Sequence, residues 1–106
     1  MMVTTTNDLP GYRVVESKGL VRGVIVRSRS VVGNVGAAIQ SIFGGDITIY
    51  TKLADDARQQ AYDRMVEHAR QVNANAVVAM RYDANEIMDG ITEVLAYGTA
   101  VRVEPI

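Results

Sequence analysis

A chain of 106 residues with 48% hydrophobic content has the size of one small domain, able to bury about two-thirds of its unfolded surface. Its 11 basic and 12 acidic residues leave a net charge of -1, so no global field points to nucleic acid or an anionic membrane as a partner. The absence of cysteine excludes disulfides, thiolate nucleophiles and Cys-based zinc or iron–sulfur sites.

No apolar stretch reaches the roughly 18 residues that span a bilayer. The opening MMVTTTNDLPGYR has no basic segment followed by an apolar run, so a single cytoplasmic domain over 1–106 is expected rather than a secreted one. With one Phe and no Trp, the core must be built from small side chains packed closely. Several apolar strand faces and one main covering helix give such a domain a reason to self-associate.

In chain order, Met2 to Thr5 reads as a short strand, closed by the turn cluster Asn7, Asp8, Pro10 and Gly11. Tyr12 to Ser28 is rich in Val and Ile and reads as one long bent strand, or two joined at Lys18-Gly19. Gly19 and Gly23 mark a bulge, a bend or a close backbone approach. Ser30 can cap a short helix over Val31 to Phe43, with Val31, Val35, Ala38, Ile39 and Ile42 on one face and Gly33, Ala37 and Ser41 at four-residue spacing.

Gly44 and Gly45 stop that helix, and Asp46 can charge the start of the next. From Ile47 or Thr51 to Val72, the residues Ala54, Ala57, Ala61, Met65, Ala69 and Val72 recur at intervals of three and four. They form a narrow stripe, broadened by Leu53, Tyr62 and Val66, that lets a helix sit close to a sheet. Asp56, Gln59, Asp63, Glu67, Arg70 and Gln71 occupy the opposite side; Asp55 and Asp56 read as first-turn charges and Asn73 as a left-handed terminator.

Ala76 to Asp83 reads as a strand apolar on both sides, Val78, Met80 and Tyr82 on one face and Val77, Ala79 and Arg81 on the other. Asn85 to Gly90 is a polar turn ending in the hairpin signal Asp89-Gly90. Ile91 to Val103 is a long strand with Ile91, Leu95, Tyr97, Val101 and Val103 on one face and the smaller Val94, Ala96, Gly98 and Ala100 on the other; Pro105 ends its pairing. Strand, helical region, strand, strand makes an α+β fold, the first two long strands parallel through the crossover and the third antiparallel to the second.

Gly44-Gly45-Asp46, Tyr50-Thr51 opening a helix with Ala57-Arg58, Ala74-Asn75-Ala76-Val77 entering a strand, and Ala96-Tyr97-Gly98-Thr99-Ala100-Val101 together resemble the YbjQ-like family of small bacterial and archaeal proteins over nearly the whole chain. The resemblance implies a dodecin-like β-α-β-β subunit. Its helix would pack on a three-stranded, mainly antiparallel sheet with the third strand in the middle, and the subunits would form a ring-like homopentamer. The family's label is heavy-metal binding. Asp46 stands where Glu is more usual and Asn73 where Gly is, and both keep the local physics.

The side chains give that label little support, since a soft metal needs soft ligands and the chain offers five Met and one His. His68, at the margin of the buried stripe, is read first as a surface or interface residue, although symmetry could gather copies of it into a shared site. Asp83, Glu86, Asp89 and Glu93 around the hairpin match no EF-hand spacing and read as solvated acids. Arg27-Ser28-Arg29-Ser30 lacks the Lys and glycine spacing of a phosphate loop. Ser17, Ser28, Ser30 and Ser41 lie in no nucleophile-elbow pattern, and Tyr50, Tyr62, Tyr82 and Tyr97 are spread over core-like positions.

The expectation is therefore a non-enzymatic, homo-oligomeric binding or scaffold protein with any ligand at subunit interfaces. No catalytic or metal residue is assigned, and no cofactor. The alternative is a metal or small-anion sensor using Asp46, His68 or the turn carboxylates across a subunit boundary.

Overall fold

Alternating Val and Ile with two well-placed glycines make Tyr12–Ser28 a single 17-residue strand rather than two. The computed structural model describes residues 1–28 and 48–106, without the side chains of 48–50. The elements are β1 (Met2–Val3), β2 (Tyr12–Ser28), α1 (Thr48–Gln71), β3 (Ala76–Met88) and β4 (Ile91–Pro105). The expected helix over Val31 to Phe43, its Ser30 cap, Gly44-Gly45 and Asp46 lie outside the described residues.

The sheet order is β1-β3-β4-β2, with β4 antiparallel to both neighbours and β1 parallel to β3. The central position of β4 agrees with the expectation. The sheet has four strands, not three, because Met2 and Val3 pair with Ala76 and Val77. Thr4 N–H then donates to the Val77 carbonyl at 3.0 Å, which extends the seam.

The helix covers one face. Ala57, Ala61, Met65 and Ala69 are buried, and they pack with Val21 and Ile25 of β2, Val77 and Met80 of β3, and Val94, Ala96 and Ala100 of β4. On the other face a smaller cluster of Ala76, Val78, Val101 and Val103 lies against Met2 and Leu9, so the N-terminal segment is the cover there. The small residues of β4 do sit under the helix, and its larger apolar ones sit opposite.

In β3 the alternation is broken. Val77 and Met80 share the helix side while Val78 lies on the other, contrary to an expected pairing of Val78 with Met80. Ala79 takes a positive φ of 54° at a register shift between Val78 and Arg81. One extra residue at such a bulge inverts every later face. Ala79 N–H donates to the Thr6 carbonyl at 2.8 Å and Met80 N–H to the Thr4 carbonyl at 3.0 Å, so the N-terminal segment absorbs donors freed by the bulge. Opposite it, a Cβ at Gly98 would lie 2.7 Å from Val77 Cγ1.

The helix ends as expected. Asn73 has φ 64°, its N–H donates to the Arg70 carbonyl at 3.0 Å, and Ala74 N–H donates to the Ala69 carbonyl at 3.0 Å. This pair of bonds is the Schellman arrangement. Asp55 and Asp56 are not first-turn charges, because α1 begins at Thr48 and its first turn holds no acid.

β3 also runs beyond Asp83 to Met88, leaving only Asp89-Gly90 as the hairpin loop. The expected polar turn from Asn85 is strand. β3, β4 and the end of β2 thus form a projecting arm, and the described residues extend over 56 × 26 × 18 Å.

Candidate functional site

At Gly23 the backbones of helix and strand come close together. A Cβ there would lie 2.5 Å from the Met65 nitrogen and 2.8 Å from Arg64 Cβ, and would overlap the Ala61 carbonyl oxygen. The alanine stripe and this glycine remove side chains from both surfaces. The close approach brings two helix side chains, one turn apart, to the outer edge of β2. Arg22 N–H donates to His68 Nδ1 at 3.1 Å, and Arg64 Nη1 donates to the Val24 carbonyl at 2.8 Å.

His68 is half-buried, and its Nδ1 lone pair is occupied by a backbone donor. It acts as an edge cap rather than as a free imidazole. Its place at the margin of the stripe was readable; its partner, 46 residues away, was not.

Toward its N-terminus the helix diverges from the sheet. Ala57 is buried, but Leu53 is half-buried and Ala54 exposed, although Ala54 continues the same stripe. A cavity of about 580 Å³ opens between this half of α1 and the arm. Its apolar walls include Leu53, Ala54, Ala57, Ala84 and Val94, and its polar rim includes Arg27, Asp56, Arg58 and Glu86. Sequence reasoning did not find this site, because it joins three elements with no local motif. Arg27, Ser28, Asp56, Arg58 and Glu86 each fall in a motif or charge pattern of the sequence, but none of those patterns places them around one cavity.

The charged groups around it differ in their engagement. Glu86 Oε1 accepts from Gly90 N–H at 3.0 Å, which ties it to the hairpin loop. Arg58 lies over the Tyr82 ring, 5.7 Å from its centroid. Burial raises the Tyr82 phenol above its ordinary range; Tyr62 adds to this, Arg58 opposes it and Asp63 adds again. Asp56 is exposed, whereas Arg27 is half-buried.

The hairpin acids do not converge. Asp83 pairs with Leu95 and Glu86 with Thr92, positions on opposite faces of the sheet, and Asp83 Oδ1 accepts its neighbour's N–H from Ala84 at 2.9 Å. Among the described residues no group of three or more His, Asp or Glu is placed to hold a metal ion. The donors that one chain presents here do not fit a soft metal. Tyr62 and Tyr82 stand on the helix side and Tyr97 on the other face, so these three form no shared stacking platform. No helix among the described residues is long and apolar enough to cross a membrane.

A UPF0145 protein of Burkholderia thailandensis is 60% identical over 101 residues, covering 95% of this chain and 91% of the relative. A UPF0145 protein of Burkholderia mallei is 57% identical with the same coverage. Among solved structures, a protein of unknown function of the DUF74 family from Pediococcus pentosaceus matches with a TM-score of 0.57 at 17% identity, over 98% of each chain, which is a likeness of fold alone. A family model described as "Putative heavy-metal-binding" matches residues 1–104, and the chain belongs to that family, the YbjQ family.

Proposed function

We propose that this chain is a self-associating, non-catalytic binding or scaffold protein, assembled as a ring of five subunits with a dodecin-like layout. The observation that carries the reading is an apolar surface on the sheet face away from the helix. Val14, Leu20 and Val26 are 44%, 63% and 53% exposed there. The register places them opposite Val103, Thr99 and Glu93 of β4, on the side that also bears half-buried Val24, Leu95 and Tyr97. Among the described residues, Met2 and Leu9 lie against the base of that face. Arg22, opposite Tyr97, lies within this strip, and a mostly apolar surface of this kind is one that a second copy covers.

The engagement of His68 by a backbone N–H supports the non-catalytic part, since the single imidazole is not poised as a base. The test is light scattering of purified protein against a Leu20→Glu/Val26→Glu variant. Self-association predicts an oligomer that the paired charges break into folded monomers, and an assembly unmoved by them contradicts this surface. The family description favours a second reading, metal binding across a subunit boundary. It predicts that Zn²⁺, Cu²⁺ or Ni²⁺ raises Tm, and it is abandoned if none does.

A further inference from the structure

We propose that the cavity between the N-terminal half of α1 and the arm binds a small amphipathic carboxylate, its apolar body against Leu53, Ala57 and Val94 and its charge on Arg27. The volume of about 580 Å³ lies within the range of small-molecule sites, which are mostly apolar with a few polar groups fixing orientation. The apolar walls select against a fully polar ligand, because such a ligand would lose its hydration without replacement bonds.

Arg27 decides the sign of the charge. It is half-buried and lines the cavity, yet its guanidinium has no hydrogen bond or ion pair among the described residues. A guanidinium partly removed from water and lacking a carboxylate partner gains from an incoming anion, with which it can form a two-pronged charge-assisted pair. The acids nearby do not take that role. Glu86 is held by Gly90 N–H, and Asp56 stands exposed on the helix flank. Arg58, over the Tyr82 ring, adds positive charge on the same rim. The site lies within one chain, so the inference goes beyond self-association: a monomeric protein that bound the probe would sink the assembly and leave this site standing.

The experiment is an NMR titration of the full chain with octanoate and, in parallel, with 1-octanol. Saturable shifts at Leu53, Ala57 and Val94 are expected, with octanoate binding tighter. Arg27→Gln should weaken octanoate by about tenfold or more and leave octanol unchanged. Ala84→Trp, at an exposed arm position, should fill the cavity and abolish both. Absence of saturable octanoate shifts in the wild-type chain would overturn the proposal, as would equal affinity for the two probes. If Arg27→Gln does not fold, Ala84→Trp decides alone: unchanged octanoate binding in that variant overturns the site.

Discussion

The two halves of α1 carry the same alanine spacing and meet the sheet in different ways. In the C-terminal half, Ala61, Met65 and Ala69 are fully buried over Gly23, and the helix edge is pinned by the His68 and Arg64 bonds. In the N-terminal half, Ala54 is exposed and the cavity opens beneath it. The difference lies in the strand. Passing from Gly23 to Ile25 to Arg27, β2 presents progressively larger side chains toward the helix, so the same small-residue stripe cannot close. A stripe of alanines licenses close approach only where the opposing surface also gives up its side chain.

The largest expected effect is on the closed half. Gly23→Val should cost about 3 kcal/mol or more, because the obstacle is helix backbone and not a flexible side chain. Ala54→Leu, over the cavity, should change stability by less than about 0.5 kcal/mol. Urea denaturation of both variants measures the contrast, and similar losses would break it. A smaller effect tests the pin. His68→Leu should cost about 1 kcal/mol and speed hydrogen exchange at the Arg22 amide, whereas His68→Gln, which keeps an acceptor, should restore part of that protection. No change in Arg22 exchange for either variant would show that the bond is idle.

The smallest effect lies far from the helix seam. The hydrogen bond and charge of Lys18 hold the Glu16 carboxyl below its ordinary range. A carboxyl lowered in the folded state binds its proton more readily when unfolded. Its contribution is therefore present above the unfolded value and is lost as pH falls through the folded one. Because Glu16 is exposed, the effect is small. Carbon-detected NMR should place its midpoint lower in the wild type than in Lys18→Met, and equal midpoints would remove Lys18 as the cause.

Much of this contrast was legible in the residues. The alanine stripe, the small face of β4, the Asn73 terminator and the Asp89-Gly90 loop each rest on a local period or on one residue's backbone preference. Gly23 was marked as a bend, bulge or close approach, and the helix backbone supplies the last of these. What escaped were features with no local signature. Ala79 at positive φ looks like any strand alanine, so the inversion that puts Met80 beside Val77 could not be read. The arm through Met88 was masked by polar Asn85 and Glu86, which an exposed strand tolerates. Met2 and Val3 were recognised as a strand, but their parallel place beside β3 depends on residues more than 70 positions away. The cavity and the bond from Arg22 to His68 are properties of assembled elements.

Self-association requires that the sheet face away from α1 be covered by further copies of the same chain. Native mass spectrometry of untreated protein at micromolar concentration tests it most directly. A dominant species of five 11.5 kDa subunits is the predicted result, and a dominant monomer would contradict it.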